Sequence, residues 1–192
     1  MKKIFAISVI AICVSLLASV TTAYFTDQGT ARNIITAGAV GITVVEQQKT
    51  AEGLVEYPKE KIVVMPGTKV SKIVSVRADE ASAYVRARYE IIIFDAEGED
   101  MELDEQTITS IVGIDPDKEH WTEKSGWWYF HKALVGGEAT EPLFTEVVFS
   151  GPEMTNEYQG CTVEIHIITE AVQAANNGNT VWEAEGWPEE GR

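Results

Sequence analysis

Cysteine is nearly absent from this chain: there are two in 192 residues. Cys13 falls inside an N-terminal apolar run, so Cys161 has no partner once that run is removed. A mature form then has no internal disulfide, and its stability must come from its core. Cys161 adjoins an apolar strand pattern and reads as a small buried hydrophobe. Histidine is equally scarce. His120, His131 and His166 fit neither HExxH nor another zinc spacing, and there is no nucleophile elbow and no Cys-His motif. The expectation is a protein that is not an enzyme, with no catalytic residues, no metal ligands and no resident cofactor. Cations are few as well: Lys and Arg total 15 against 30 Asp and Glu, for a formal net charge of −15. Phosphate backbones are held by clustered Lys and Arg, so nucleic-acid functions are excluded. Beyond the N-terminal run there is no second long apolar stretch, and membrane contact is expected only during export.

The N-terminal run itself has the order of an export signal. Lys2 and Lys3 precede an apolar stretch over residues 4–17, shorter than the roughly 18 to 20 residues a bilayer-crossing helix needs. Small residues at Thr21 and Ala23 suit a signal peptidase, and cleavage is expected after Ala23, making Tyr24 the new N-terminus. Ile12 before Cys13 does not suit lipoprotein processing. The expected organisation is a signal peptide over 1–23, an extended segment over 24–38, a β-sandwich over 39–182 and an acidic tail over 183–192. Without the signal's two lysines the chain is two units more negative. Such charge keeps a secreted protein dispersed, so self-association has to come from apolar or backbone contacts, aided by salt or divalent cations.

Period-two alternation is the dominant pattern. Across residues 83–94, Val85, Ala87, Tyr89, Ile91 and Ile93 share one face, with Tyr84, Arg86, Arg88 and Glu90 on the other. Residues 70–76 read the same way behind the Pro66-Gly67 turn. Further strands are expected at 42–45, 62–65, 127–134, 144–149 and 161–172. Six or more strands at short spacing argue for an all-β, antiparallel, jelly-roll-like sandwich. Helical signals are limited to a turn or two at 104–110 and 152–158, and Asn176-Asn177-Gly178-Asn179 reads as a loop. Residues 26–33 are mostly polar and poor in strand signals.

Four groups of residues invite a functional reading. Trp127, Trp128 and Tyr129 form an aromatic run in which one face fills the core and the other either packs within the domain or is exposed to stack on a sugar ring or a subunit. Asp95-Ala96-Glu97-Gly98-Glu99-Asp100 gathers carboxylates around a glycine but fails the EF-hand spacing; it reads as a charged hairpin turn, with weak calcium binding as the alternative. Glu164 and His166 share a strand face, which reads as a solvated polar face rather than half a metal site. Tyr24 and Phe25 place two aromatics at the end released by cleavage. Burying one recovers about 2 kcal/mol, so this end docks either on its own domain as an edge strand or into a neighbour by β-strand addition.

Several blocks resemble the TasA/camelysin family of Gram-positive biofilm-matrix fibre proteins. They are Thr21-Thr22-Ala23 followed by Tyr24-Phe25-Thr26-Asp27, then Thr36-Ala37-Gly38-Ala39-Val40, and the Met65-Pro66-Gly67-Thr68-Lys69-Val70 turn. The Trp127 to Phe130 run, the segment from Gly137 to Phe144 and the segment from Glu170 to Asn176 are also similar to exported relatives. The resemblance implies a jelly-roll sandwich, secretion to the matrix or cell surface and processing by a SipW-type signal peptidase. It further implies fibres in which Tyr24, Phe25, Thr26 and Asp27 begin a donor segment that completes the next subunit's sheet, with an accessory assembly protein as a candidate partner. Some members of the family carry a metalloprotease label, but the zinc motif is missing here. The expected function is thus a structural fibre subunit, with a monomeric adhesin or glycan-binding module as the alternative and a secreted peptidase third. No LPxTG-like signal precedes Glu189-Glu190-Gly191-Arg192, so sortase anchoring is not expected.

Overall fold

The computed structural model describes residues 25–28, 31–33, 40–58, 62–64 and 66–188. The expected export signal, with Thr21, Ala23 and Tyr24, lies outside the described residues. Two sheets face each other. The first contains β1 (Phe25–Gln28), β2 (Ala31–Asn33), β5 (Ile62–Val64), β7 (Ala83–Phe94), β9 (Trp121–Lys124), β10 (Trp127–Phe130) and β12 (Thr162–Gln173). Its order is β5-β1-β12-β7-β10-β9, with β2 also on β12. The second contains β3 (Ile42–Thr50), β4 (Gly53–Glu56), β6 (Lys69–Ala78), β8 (Val112–Ile114) and β11 (Phe144–Phe149), in the order β4-β3-β6-β11-β8. The expected all-β antiparallel sandwich is therefore the architecture found, with its short helical pieces in loops.

The alternating runs became the structural centre. β7 and β12 pair along their whole length, from Thr162 opposite Phe94 to Gln173 opposite Ala83. Val85, Ala87 and Ile93 from one strand and Val163, Ile165 and Ile167 from the other are at most 2 % exposed. They meet Val74, Val76, Phe144, Val147 and Phe149 of the second sheet in one core. This is the two-layer solution to burying one apolar face per sheet.

Loops are fixed by side chains as well as by turn glycines. Asp104 caps the helix α1 (Glu105–Ile111), its carboxylate accepting from the Thr107 backbone N–H at 2.9 Å, so the expected helical turn at 104–110 is present. Of the second expected turn, only Asn156–Tyr158 is helical, as a 3-10 turn. In β11 the ladder shifts register between Phe144 and Glu146. The Asp115 carboxylate accepts from the N–H groups of Thr145 and Glu146 at 3.0 and 2.8 Å there, taking up donors the bulge frees from the ladder. Gly67, with φ 76°, makes the turn into β6 and donates its N–H to Phe149.

Two expectations need correction. The stretch 26–33, read as strand-poor, supplies β1 and β2. The acidic tail placed at 183–192 begins too early: Ala184 is 9 % exposed and packs, with Val181 and Trp187, against Tyr84 and Val172 on the outer face of the first sheet. Those apolar residues are spaced among Glu183, Glu185 and Gly186, which hid the packing in an acidic composition.

Candidate functional site

The feature that sets this sandwich apart lies at its N-terminal segment. β1 runs parallel to β12, with Thr26 opposite Thr162 and Gln28 opposite Glu164. β2 continues in the same direction, with Ala31 opposite Ile167 and Asn33 opposite Thr169. The offset between partners is the same in both stretches, so β1 and β2 lie along the edge of β12 in one register. On its other side β1 pairs antiparallel with β5, Phe25 opposite Val64 and Asp27 opposite Ile62. A strand near the chain's N-terminus thus sits inside a sheet, with a ladder on each side. These are the only parallel pairings among the described strands. Of the expected donor residues, Phe25, Thr26 and Asp27 are in β1, and Tyr24 lies outside the described residues.

The aromatic run lies at the opposite side of the same sheet, and its outer face is covered. Phe130 is 1 % exposed and packs at 5.2 Å against Trp121 in the core. On the outer face, Tyr129, Arg86 and Glu170 form a row across β10, β7 and β12, each opposite the next in the ladders. Arg86 donates from Nε to Glu170 at 2.8 Å, from Nη1 to the Tyr129 hydroxyl at 2.9 Å and from Nη2 to the Pro188 carbonyl at 3.0 Å. Its guanidinium also lies over Trp127 at 4.4 Å and Trp187 at 4.9 Å. A planar fork with five donors and weak hydration is the cation suited to such a place.

The exposed aromatic surface expected at Trp127, Trp128 and Tyr129 is therefore narrowed. Trp127 is 3 % exposed, and Tyr129 is flanked by Trp182 and Trp187. Both are covered because Arg86 and the C-terminal segment lie over them. Trp128 alone of the three lines an open cleft, of about 450 Å³, together with Pro116, Lys118, Trp121, Thr122 and Glu123.

The histidines are dispersed. His166 Nε2 lies 2.9 Å from Glu164, so the two side chains expected on one strand face bond to each other. His131 shares a hydrogen bond with Thr122 at 2.7 Å, and His120 is held by Asp117 at 2.7 Å. Among the described residues no group of three or more His, Cys, Asp or Glu side chains is arranged to hold a metal ion. In the acidic turn the Asp95 carboxylate accepts from the N–H groups of Glu97 and Glu99, which is hairpin chemistry. Cys161 is fully buried, as expected, with Sγ 3.7 Å from Met101 Sδ.

A second interior group escaped the sequence reading. Lys72 is in phase with Val70, Val74 and Val76 on β6 and points inward, 0 % exposed, with Nζ 2.9 Å from Glu46 Oε1. Its phase with three valines was the available signal.

No protein-family model, curated protein or solved structure matches the chain.

Proposed function

We propose that this protein is a secreted structural subunit of an extracellular fibre of the TasA/camelysin type, joined to its neighbours by N-terminal strand donation. The observation that carries the reading is the position of β1 between β5 and β12. A terminal strand is free to leave without unthreading the chain. Its departure would uncover one edge of β12 and one of β5, two rows of backbone donors and acceptors that cost free energy when unpaired. The equivalent strand of a second copy satisfies both rows with the same register, so exchange conserves the contacts and converts them into a link between subunits. A head-to-tail exchange of this kind does not close on itself and grows into a filament. The resemblance at Tyr24, Phe25, Thr26 and Asp27 points the same way, as does the expected export signal with its SipW-type processing.

The test compares the chain beginning at Tyr24 with one lacking residues 24–33, imaged by electron microscopy with and without calcium. Filaments from the longer form alone support donation. Normal filaments from the shortened form, or a solitary longer form under every ionic condition, defeat it.

One observation favours a second reading as an adhesin. The cleft beside Trp128 places an indole next to Glu123, Thr122 and Lys118, a mixture of flat apolar surface and polar groups that suits a sugar ring. Glycan binding abolished by Trp128→Ala, in a protein that stays monomeric, would select it over the fibre.

A further inference from the structure

The Lys72 and Glu46 pair lies in the second sheet, on β6 and β3. Glu46 is opposite Val74 in the ladder between β3 and β6, and Lys72 is two residues along β6, so the two side chains meet diagonally on the core face. Nζ of Lys72 and Oε1 of Glu46 are both buried, 2.9 Å apart, and neither is in a hydrogen bond. The Tyr57 ring closes over the amine with its centroid 3.8 Å from Nζ, and the Tyr57 N–H donates to the Glu46 carbonyl at 3.0 Å. An amine is thus held against a carboxyl group in an apolar setting by two strands and a ring.

We propose that Lys72 and Glu46 condense into an internal amide bond. One proton passes from the Lys72 ammonium to the Glu46 carboxylate, giving an amine and a carboxylic acid. The amine lone pair attacks Cδ of Glu46, a bond forms between Nζ and Cδ, and one carboxyl oxygen leaves as water with the two protons that balance it. No oxidant or cofactor enters. Burial favours the change, because a charged pair withdrawn from water loses hydration that a neutral amide does not need. Proximity supplies the rest, since the amine is held 2.9 Å from the carboxyl oxygen and the reaction is intramolecular. The product ties β3 to β6 covalently in a domain whose one cysteine among the described residues is free. It does not depend on strand exchange, and its test reads the single chain.

The test is peptide mapping of the denatured secreted protein by mass spectrometry. An amide at Lys72 blocks trypsin there, so residues 33–49 and 70–77 should appear joined, one water lighter than their sum. The intact mass should be lower by the same amount. Lys72→Arg should show no loss of water from its intact mass and should restore cleavage at position 72, releasing 33–49, 70–72 and 73–77 separately. Separate peptides and a full mass in the unsubstituted protein would overturn the proposal, as would linkage of Lys72 to another residue. The result is independent of whether filaments form: a cross-linked protein that never polymerises refutes the fibre alone, and a fibre of uncross-linked subunits refutes the amide alone.

Discussion

Arg86 and Glu170 are direct cross-strand partners whose side chains are 8 % and 10 % exposed and meet at 2.6 Å. A buried ion pair adds little when exchanged for well-packed apolar residues, but losing one partner strands the other charge without water. Glu170→Ala should therefore cost about 3 to 5 kcal/mol, read from denaturant unfolding. Arg86→Met combined with Glu170→Leu should recover much of that loss. Equal destabilisation by the single and double variants would mean that packing, not charge, holds the row.

The C-terminal segment covers this row, so its removal should be felt across the sheet. Trp187 lies edge-on to Tyr129 and over Arg86, and it is half-buried. Trp187→Ala should cost about 2 kcal/mol, below the 3 to 5 of a fully buried Trp. Truncation after Gln173 should lower stability further and raise the binding of a hydrophobic dye, by exposing Tyr84 and Val172. An unchanged midpoint after truncation would show that the segment rests on the sheet without contributing to it.

Local pattern made the central strands legible, and it failed where tertiary contact decides. Residues 83–94 alternate strongly and residues 144–149 are rich in branched and aromatic residues, and the strands occupy those bounds. β1 and β2 carry polar residues such as Thr26, Asp27, Gln28 and Asn33, and their strand conformation rests on the ladder that β12 offers. β4 was missed because Gly53 and Glu56 bound only two apolar residues, and it forms as the return arm of a hairpin with β3. At Trp127 the alternation was read correctly, but the covering of the outer face was not, because it comes from residues some sixty positions away. Lys72 shows the reverse failure: its phase said core while its chemistry said solvent.

The Gly136-Gly137 break combines two separate demands. A Cβ at Gly136 would overlap the Glu80 carbonyl oxygen, which is backbone and has little freedom to move. Gly137 has φ 88° and donates its N–H to Ala78 at 2.8 Å. Gly136→Ala should cost about 1 to 3 kcal/mol through overpacking, and Gly137→Ala about 1 kcal/mol or more through the left-handed backbone. Thermal unfolding of the two variants measures both, and a neutral Gly136→Ala would show that the 134–138 loop shifts freely.

Cys161 should be unreactive while the domain is folded. Burial pushes its thiol above the ordinary value, and the charges of Asp95, Glu97 and Glu157 add to the rise, so little thiolate forms. A thiol reagent should label it only as fast as the protein opens, with full labelling in denaturant. Rapid labelling at neutral pH, or a disulfide-linked dimer in the native state, would contradict the buried position.

The 115–121 loop should carry a pH dependence with a defined sign. The side-chain hydrogen bond to the Asp117 carboxylate raises His120 above its ordinary value, against the opposing effect of burial, and the charges of Asp117, Glu141 and Glu119 add to the rise. A raised folded value means that stabilisation is complete below the unfolded value of about 6.5 and is lost as pH climbs through the folded one. For Asp117 burial acts upward, but hydrogen bonds from the His120 ring and from the N–H groups of Glu119 and His120 outweigh it and leave the carboxyl lowered. That contribution is present above about 3.9 and is lost as pH falls through the lowered value. The loop is thus held best from weakly acidic pH up to about 6.5 and loosens above it. Ring resonances of His120 followed by NMR should titrate above those of a free histidine, and Asp117→Asn should bring them back toward it. The backbone bond from Trp121 N–H to Asp117 should exchange its proton faster at pH 8 than at pH 6, after correction for intrinsic rates. A His120 midpoint at or below the free value would show that the Asp117 contact does not persist in solution.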